Sequence, residues 1–397
     1  MNIVFLGLTI TSSWGNGQAS TYRALMKAAF ERGHRLTFLE CDQAIFRGHR
    51  DLTEQPEWGT IYLYDDLNDL RKDHELLIQR ADCVVVGSGL QQGKEIAEWV
   101  QTAASGVTAF YDLQTPETLE SVAQGVCLYL NKSLAVRFDL YLSFAGGKVL
   151  RELELQMQVP RARALACTVD PAQNYPEEAE CKWDLGFLGT HFDDRQEALQ
   201  SLLLAPARSW KDGWFAVVGT MYPNVQEWSG NVFHLPHLPP PLHRKFYNQQ
   251  RYTLNITRRC MLGLGWSPSV RFFEAAACGV PIITDYWEGL DSYFKIGTEI
   301  LVANDSEDVL RILKDVDEGK RRAIAGAARN RVRREHEAQT RIARLESYID
   351  EVRKPRQNDT AMHQPEPAVK RETSRPIDTY SVDLSIQNRS RKTMRVI

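Results

Sequence analysis

The 397-residue sequence lacks long apolar runs. Its apolar stretches, such as residues 83–86 and 280–283, are short, whereas a membrane-spanning helix needs about 20 apolar residues. The first seven residues, Met-Asn-Ile-Val-Phe-Leu-Gly, carry no basic side chain, so they are typical of a buried strand and not of a secretory leader. We expect no transmembrane segment and a cytoplasmic location.

Cysteine pairs and excess charge are also lacking. The seven cysteines are an odd number and include no Cys-x-x-Cys pair, which excludes a disulfide scaffold and favours reduced core thiols. A content of 43% hydrophobic and 25% charged residues excludes a wholly disordered or collagen-like chain. The formal net charge of −3 gives no broad positive field, so we expect no nucleic-acid partner.

What is present is an alternation of apolar strand-like runs and amphipathic helices, which predicts an α/β protein with two doubly wound parallel sheets. The first series has strands at 2–8, 35–40, 83–87, 107–111 and 140–144, and helices at 20–32, 67–80 and 92–104. The second series has strands at 183–188, 214–218, 252–256, 281–284 and 299–302, and helices at 195–204, 269–278, 306–318 and 320–352.

A proline- and glutamate-rich break separates the two series. We therefore predict a first domain over residues 1–168, a linker over 169–182 and a second domain over 183–352. The remaining segment, 353–397, has no apolar period and holds ten basic against five acidic residues, so we expect a disordered tail. An arm for nucleic acid or anionic lipid is the alternative use of that tail.

The loop after the first strand, Gly15-Asn16-Gly17-Gln18, is the first candidate site. Glycines ahead of a helix let backbone amides approach a ligand closely, so the loop is predicted to face a substrate, with a plain turn as the alternative. The spacing Gly15-x-Gly17-x-x-Ser20, followed by Glu40, also resembles a dinucleotide fingerprint. An NAD(P)-dependent oxidoreductase is therefore a competing interpretation.

Two further loops follow strands, where open α/β sheets bind their ligands. In Tyr111-Asp112-Leu113-Gln114-Thr115-Pro116, the Asp112 carboxylate could accept a hydrogen bond from a hydroxyl or act as a base. Its alternative role is that of a turn or helix-capping residue. The second loop, Phe144-Ala145-Gly146-Gly147, indicates either a close backbone approach to a ligand or a simple turn.

The strongest candidate site surrounds the helix predicted at 269–278. Ser267 is a residue type that caps helices, and Pro268 suits a first helical position. The free amides of the next turn and the helix dipole favour an anion there, with Arg271 close by. The Glu274 carboxylate could bind two ribose hydroxyls, while Arg258 neutralises phosphates; a merely structural capped helix is the alternative.

These motifs together resemble the CgeB-like (spore maturation protein) glycosyltransferases, over about residues 1–350. The matching stretches are Leu8-Thr-Ile-Thr-Ser-Ser-Trp-Gly-Asn-Gly17, Phe110-Tyr-Asp-Leu-Gln-Thr-Pro116, Asp139-Leu-Tyr-Leu-Ser-Phe-Ala-Gly-Gly147, Leu254-Asn-Ile-Thr-Arg258 and Trp266-Ser-Pro-Ser-Val-Arg-Phe-Phe-Glu274. The resemblance implies the two-domain GT-B fold. It also implies sugar transfer from a nucleotide-diphosphate donor to an acceptor that is a glycan, a small molecule or a protein.

The resemblance also assigns roles to individual residues. Glu274 would hold the donor ribose, and Ser267, Pro268 and Ser269 would meet the diphosphate. Further donor contacts are implied for Gly189, Thr190, Arg195, Arg258 and Arg271. The sugar or acceptor side would comprise Gly15, Asn16, Gly17, Gln18, Asp112, Gln114, Thr115, Gly146 and Gly147.

Three positions depart from the expected pattern. Trp266 stands where wider retaining GT-B families often have a second glutamate, Gln114 replaces an aspartate and Gln18 replaces a histidine. A binding protein that has lost catalysis is therefore a further alternative.

We expect a metal-independent reaction without a cofactor, because arginines and helix amides can stabilise a diphosphate leaving group. That the reaction is retaining is implied only by the family resemblance. An inverting reaction would need a base, for which Asp112 is the candidate. Asp315-Val316-Asp317 is interpreted as a solvated helix end. The loop with His234, His237 and His243 is expected to be structural or to contact the base, not to bind metal.

Overall fold

The computed structural model describes residues 1–353, and most of the predicted tail, 354–397, lies outside the described residues. Two parallel sheets form the frame. The first sheet has the order β3-β2-β1-β4-β5-β6-β7. Its strands are β1 (Asn2–Gly7), β2 (Arg35–Cys41), β3 (Thr60–Tyr64), β4 (Cys83–Gly87), β5 (Val107–Asp112), β6 (Leu140–Ser143) and β7 (Ala162–Ala164).

The second sheet has the order β10-β9-β8-β11-β12-β13, and every strand pair in both sheets is parallel. Its strands are β8 (Trp183–Leu188), β9 (Phe215–Val218), β10 (Val232–Leu235), β11 (Gln250–Asn255), β12 (Ile282–Thr284) and β13 (Leu301–Val302). The predicted fold of two doubly wound parallel sheets is thereby confirmed.

Helices connect the strands of both sheets. In the first half they are α1 (Gln18–Glu31), α2 (Ala44–Arg47), α3 (Leu67–Arg80), α4 (Gly93–Ala103), α5 (Thr115–Ala123), α6 (Lys132–Ala135) and α7 (Lys148–Glu152). In the second half they are α8 (Gln196–Leu199), α9 (Ala205–Ser209), α10 (Pro240–Asn248), α11 (Arg259–Leu264), α12 (Val270–Ala277), α13 (Leu290–Tyr293), α14 (Ser306–Asp315), α15 (Glu318–Glu335) and α16 (Ala338–Arg353).

Each sheet is buried on both faces, as the apolar strands predict. In β1, Val4 and Leu6 contribute to the core on one face, whereas Ile3 and Phe5 contribute to the core on the other. In β9, Ala216 and Val218 point to one core and Phe215 and Val217 to the opposite one. A continuous apolar strand therefore supplies two cores at once.

Three strands missing from the prediction, β3, β7 and β10, lie at sheet edges. Edge strands have one neighbour only, so their sequences need less apolar character. In β3, Thr60, Tyr62 and Leu63 are exposed, and β10 has no fully buried residue. Their patterns therefore resemble the loops beside them.

The single helix predicted over 320–352 is two helices in the structure. α15 ends at Glu335, and the chain then forms a short bridge in which Val169 pairs with Glu337. The Thr168 hydroxyl donates to the His336 carbonyl at 2.8 Å. The chain thus crosses between the sheets twice, side by side, and α16 packs its apolar residues into the core of the first sheet.

Candidate active site

The carboxyl ends of the two sheets face a common cleft that contains two adjoining cavities. The strand-end cavity has a volume of about 190 Å³ and lies mainly against β8, β9, α10 and α12. The interdomain cavity has a volume of about 240 Å³ and lies between the loops after β1, β5 and β6 and the segment after β11. Both are lined by Gly15, Asn16, Gly17, Phe192, Arg195, Ser269 and Val270.

The start of α12 opens into both cavities. Ser269 caps this helix, and its hydroxyl oxygen accepts a hydrogen bond from the Arg271 amide at 3.3 Å. The Ser269 and Val270 amides donate no hydrogen bond within residues 1–353. Two uncommitted amides and the positive end of the helix dipole favour an anion at this position.

The predicted cap, Ser267, is corrected by the structure. Its hydroxyl donates to the Gly265 carbonyl at 2.7 Å, and the side chain is buried. That local bond removes Ser267 from the helix start, which moves two residues along the chain to Ser269. Pro268 lines the interdomain cavity, as a residue ahead of the helix, and Arg271 lines the strand-end cavity.

Arg195 is a cation without an anionic partner at this site. It forms no ion pair within residues 1–353; its guanidinium donates to the Thr190 carbonyl, and its Nε is buried without a partner. The rings of Phe187 and Phe192 lie 5.6 and 5.1 Å from the guanidinium carbon. Burial lowers the pKa of Arg195, so an incoming anion would relieve an electrostatic penalty.

The neighbouring residues Gly189 and Thr190 also line the strand-end cavity. The Gly189 amide donates to the Val218 carbonyl at 2.9 Å, which places this glycine beside the end of β9. A Cβ atom at Gly189 would lie 2.9 Å from the Phe187 ring and 3.2 Å from the Arg195 guanidinium. The absence of a side chain therefore leaves room for the arginine.

Arg258, in contrast, is already neutralised. It donates from one terminal nitrogen to Glu117 and from Nε to Asp194 at 3.3 Å. Its guanidinium carbon lies 4.2 Å from the centre of the Phe192 ring. Phe192 therefore contacts both predicted phosphate-binding arginines, Arg195 and Arg258, and lines both cavities.

Glu274 lies beside the cleft but not on the wall of either large cavity. Its Oε2 accepts hydrogen bonds from Arg271 at 2.6 Å and Tyr247 at 3.2 Å, and lies 3.4 Å from Nδ1 of His243. Burial opposes ionisation, but Arg271 and His243 outweigh it and lower the pKa of Glu274 to about 2. Within residues 1–353 Oε1 accepts no hydrogen bond, and Glu274 lines a cavity of only about 20 Å³.

Asp112 is not brought to the cleft surface. The side chain is fully buried, and its carboxylate accepts hydrogen bonds from Tyr141 at 2.6 Å, Thr118 at 2.8 Å and the Gln114 amide at 3.0 Å. Burial raises the pKa of Asp112 to about 6, against the effect of these donors. The position fits the turn-forming alternative, because an acceptor hydroxyl cannot reach the carboxylate.

The other residues of this loop divide between core and cleft. Thr115 is buried, with its hydroxyl 2.8 Å from that of Ser143. Gln114 lines the interdomain cavity. Glu117, in the first turn of α5, was not singled out from the sequence and lines this cavity as well. The loop therefore contributes the Gln114 side chain to the cleft, and Glu117 follows directly after it, whereas the Asp112 carboxylate stays in the core.

Gly146 and Gly147 contact Trp266 and Tyr293 and do not face an open cavity. A Cβ atom at Gly147, where φ is +53°, would lie 2.1 Å from the Trp266 ring, and one at Gly146 would lie 2.8 Å from the Tyr293 hydroxyl. The Gly146 amide donates to the Trp266 carbonyl at 2.9 Å. The structure therefore shows the predicted close approach, but to the second domain and not to a ligand.

The glycine loop after β1 does line the cleft, with unused polar groups. Asn16 accepts a hydrogen bond from the Gln18 amide at 2.9 Å. Within residues 1–353, Asn16 Nδ2, Gln18 Oε1 and Thr220 Oγ1 are buried without a partner. Buried polar groups that stay unpaired are costly, so these atoms indicate where a polar ligand would bind.

The residue needed for dinucleotide binding is not available. Glu40 is fully buried, and its carboxylate accepts hydrogen bonds from Thr9 and Thr11 hydroxyls and from the Ile10 and Thr11 amides, at 2.6–3.0 Å. It fixes the loop that follows β1. An acid engaged in this way has no lone pairs directed at a ribose.

The histidine-rich loop packs beside the strand-end cavity. His237 lines this cavity, His243 contacts Arg271 at 3.1 Å, and His234 lies 3.2 Å from the Gly219 carbonyl. Among residues 1–353 no group of three or more His, Cys, Asp or Glu is arranged to hold a metal ion. Asp317 caps α15 by accepting from the Lys320 amide at 2.9 Å.

Several residues at the cleft were not predicted as site residues, because neighbouring positions in the same loops were chosen as candidates instead. Glu117 lies two residues beyond the quoted Thr115, and Asp194 and Phe192 precede Arg195 within the same loop. The only signal for them was their position after predicted strands. Over the same part of the chain, no helix is long and apolar enough to span a membrane.

Known proteins were compared with this chain. Residues 195–347 match the glycosyl transferase-like family, and a search of curated protein sequences gave no significant match. Among solved structures, sucrose-phosphate synthase from Thermosynechococcus elongatus is 14% identical with a TM-score of 0.65, covering 89% of this chain and 99% of its own.

Two other similar structures were solved with nucleotides. Anabaena HepE with UDP-glucose is 13% identical with a TM-score of 0.64, covering 88% of this chain and all of its own. An α-glucosyltransferase with UDP and a 13-mer DNA is 11% identical with a TM-score of 0.66, covering 88% and 99%. The chain thus has the GT-B fold of these glycosyltransferases, and its second half matches the glycosyl transferase-like family.

Proposed function

We propose that the protein is a glycosyltransferase that transfers a sugar from a nucleotide-diphosphate donor to an acceptor hydroxyl. The observation that carries this proposal is the pairing of Arg195, a cation without an anionic partner, with the uncommitted Ser269 and Val270 amides. Together they offer one positive side chain and two aligned donors to a diphosphate. They lie at the carboxyl ends of parallel strands, where open α/β sheets bind nucleotides.

In this proposal the leaving diphosphate is stabilised by Arg195, Arg258 and the start of α12. Charge develops on the leaving oxygen in the transition state, and preorganised donors stabilise it. Arg271 lies on the strand-end wall, fixed by Glu274. Gly189 and Thr190 line the same cavity, beside the end of β9.

The sequence suggested that Glu274 binds two ribose hydroxyls, and we propose that it binds one. Its Oε2 is engaged by Arg271 and Tyr247, which leaves Oε1 as the available acceptor. The cavity at Glu274 has room for about one water molecule. Ser20 and Pro240 line both this cavity and the strand-end cavity, so in this proposal a ribose approaches Oε1 between them.

We also propose that the reaction is metal-independent and retaining. Arg195 and two amides supply positive charge to a diphosphate, and Arg258 adds to it when a phosphate takes the place of one of its carboxylate partners. Asp112, the base that an inverting route would use, is buried and engaged by three donors. A retaining route does not depend on that base.

The donor class is proposed from the similar structures. The HepE structures contain UDP or UDP-glucose, one of them with glucose, so a uracil nucleotide is the first donor to test. The acceptor is a glycan, a small molecule or a protein in this proposal. The DNA in the α-glucosyltransferase structures makes nucleic acid a control acceptor, although the net charge of −3 disfavours it.

We also propose that the chain belongs to the CgeB-like glycosyltransferases, and the motifs at the cleft support this proposal. A cytoplasmic location is proposed as well, supported by the seven free cysteines, four of them buried. Reduced thiols are typical of that compartment.

Calorimetric titration tests the proposal. UDP, GDP, ADP, dTDP, CDP and both nicotinamide cofactors are titrated, each with EDTA and with Mg²⁺, into the parent, Arg195→Ala and Arg208→Ala. Arg208 is an exposed arginine on α9, far from the cavity lining, and serves as the matched control. We expect one nucleoside diphosphate to bind with or without Mg²⁺ and to lose at least tenfold affinity in Arg195→Ala alone, since a charge-assisted bond contributes about 1.5–3 kcal/mol.

Two outcomes would contradict this account. Binding of NAD(H) alone, unaffected by Arg195→Ala, would move the site to the first domain and favour an oxidoreductase. Donor binding without any release of sugar, to water or to an acceptor panel, would favour the inactive binding protein.

A further inference from the structure

An ion pair joins the two domains across the cleft. Glu117 lies in the first turn of α5, and Arg258 follows β11. Their side chains are bonded, and both residues line the interdomain cavity. About 30% of each side chain is exposed, so the pair is open to substrate and solvent.

Arg258 has two carboxylate partners that differ in how firmly they are held. Asp194 belongs to the second domain, and its Oδ2 accepts from both the Arg258 side chain at 3.3 Å and the Arg259 amide at 3.2 Å. Within residues 1–353 the Glu117 carboxylate interacts with the side chains of Arg258 and Cys260, and no backbone amide donates to it. Glu117 is therefore the partner that Arg258 can release without breaking a backbone contact.

Resting on the proposed function, we infer that Glu117 is a positioning residue that holds Arg258 in the empty cleft and gives it up to the diphosphate of the donor. Ser269, Val270 and Phe192 line the same two cavities, and the Phe192 ring lies 5.1 and 4.2 Å from the Arg195 and Arg258 guanidinium carbons. A third anion beside one guanidinium would repel the two carboxylates. The loosely held Glu117 is the group that leaves.

The released carboxylate remains in the interdomain cavity, beside Gln18 and Gln114. There it can accept a hydrogen bond from an acceptor hydroxyl, whereas the Glu117 carboxylate that is paired with Arg258 is a poorer acceptor. Donor binding would thus prepare the acceptor side of the cleft. The exchange predicts that the donor binds before the acceptor.

The test measures UDP affinity by calorimetry in the parent, Glu117→Gln and Glu120→Gln. Glu120 lies on the same helix, exposed and bonded to Gln124, so its substitution removes the same charge without the pair. We expect Glu117→Gln to bind UDP about two- to fivefold more tightly, because a partly exposed ion pair contributes no more than this. Glu120→Gln is expected to match the parent.

A double-mutant cycle separates the exchange from a general charge effect. In an Arg258→Gln background, adding Glu117→Gln should no longer change UDP affinity, because no guanidinium is left to release. A gain that persists there would overturn the inference, as would unchanged or weaker binding by Glu117→Gln. If the parent itself binds none of the nucleotides, the proposed function fails instead.

Thermal unfolding of each variant shows that it is folded before titration. Glu117→Asp provides a second measure, since it keeps the charge but shortens the reach to Arg258. It should also bind UDP more tightly than the parent, by a smaller factor. An Asp variant that binds more weakly would contradict the exchange.

Discussion

The indole ring of Trp266 lies so close to Gly147 that a methyl group on the glycine would approach it to 2.1 Å. Gly147 belongs to the first domain and Trp266 to the segment ahead of α12 in the second. The Trp266 carbonyl also accepts from Tyr293 at 3.0 Å and from the Gly146 amide at 2.9 Å. This contact fixes the start of α12, and thus the proposed anion site, relative to the first domain.

Substituting Gly147 by alanine should therefore destabilise the fold. The new methyl group clashes with Trp266, and the positive φ of +53° adds backbone strain. Overpacking costs about 1–3 kcal/mol and the conformation about 1 more, so we expect a loss of about 2–4 kcal/mol in urea unfolding. Gly125→Ala is the control, since Gly125 has φ +74° with no atom within 4 Å; an equal loss in both variants would show that the Trp266 contact is unimportant.

Glu274→Gln should lose stability in a pH-dependent way. The pKa of Glu274 is lowered from 4.5 to about 2 in the folded protein, so its ionised form stabilises the fold above pH 4.5. That contribution disappears as the pH falls from 4.5 through about 2. We expect the parent to exceed Glu274→Gln by about 3 kcal/mol at pH 7, with the gap closing below pH 4.5 in denaturant titrations.

The matched control for that titration is Glu318→Gln. The pKa of Glu318 is also lowered to about 2, by Arg321 first of all, although burial works against it. Glu318 is an exposed side chain, so solvent screens its ion pairs and they contribute little. A Glu318→Gln profile as steep as that of Glu274→Gln would show that burial of the Arg271–Glu274 pair does not matter.

Asp112→Asn distinguishes a structural carboxylate from a catalytic base. Burial raises the pKa of Asp112 from 3.8 to about 6, so the folded state loses stability as the pH rises between these values. The asparagine variant escapes this loss and should gain up to about 3 kcal/mol relative to the parent from pH 4 to pH 6. Hydrolysis of the bound donor, followed by release of free sugar, should stay within tenfold of the parent; a thousandfold drop would restore Asp112 as the base.

Phe192 offers a test of how the two arginines are held. Its ring lies 5.1 Å from Arg195 and 4.2 Å from Arg258. Phe192→Leu removes both cation–π contacts, each of about 0.5–1 kcal/mol at a partly exposed site, so UDP should bind about five- to thirtyfold more weakly. Phe192→Trp keeps an aromatic face and should bind like the parent; equal losses in both variants would refute the contact.

Much of the frame was predictable because buried parallel strands have an unmistakable apolar sequence. The edge strands β3, β7 and β10 were not, since one-sided pairing demands little of their residues. The break at His336 was missed for a different reason. α15 and α16 read as one continuous helix, and the separation depends on the distant contact of Thr168 with the His336 carbonyl.

The site was predictable as a set of loops but not residue by residue. Motifs indicated Arg195, Ser269 and the Gly15–Gly17 loop, which all line the cleft. The sequence could not tell which carboxylate of the Asp112 loop faces inward, because that depends on the partners Tyr141 and Thr118 in the core. Glu117 could be recognised as a candidate residue only from the fold, in which Arg258 contacts it.

A structure of the protein with UDP bound tests the central claim most directly. The account predicts the diphosphate at the Ser269 and Val270 amides, in contact with Arg195 and with Arg258 turned away from Glu117. A UDP molecule bound elsewhere, with the Arg258–Glu117 pair intact and the start of α12 empty, would contradict it.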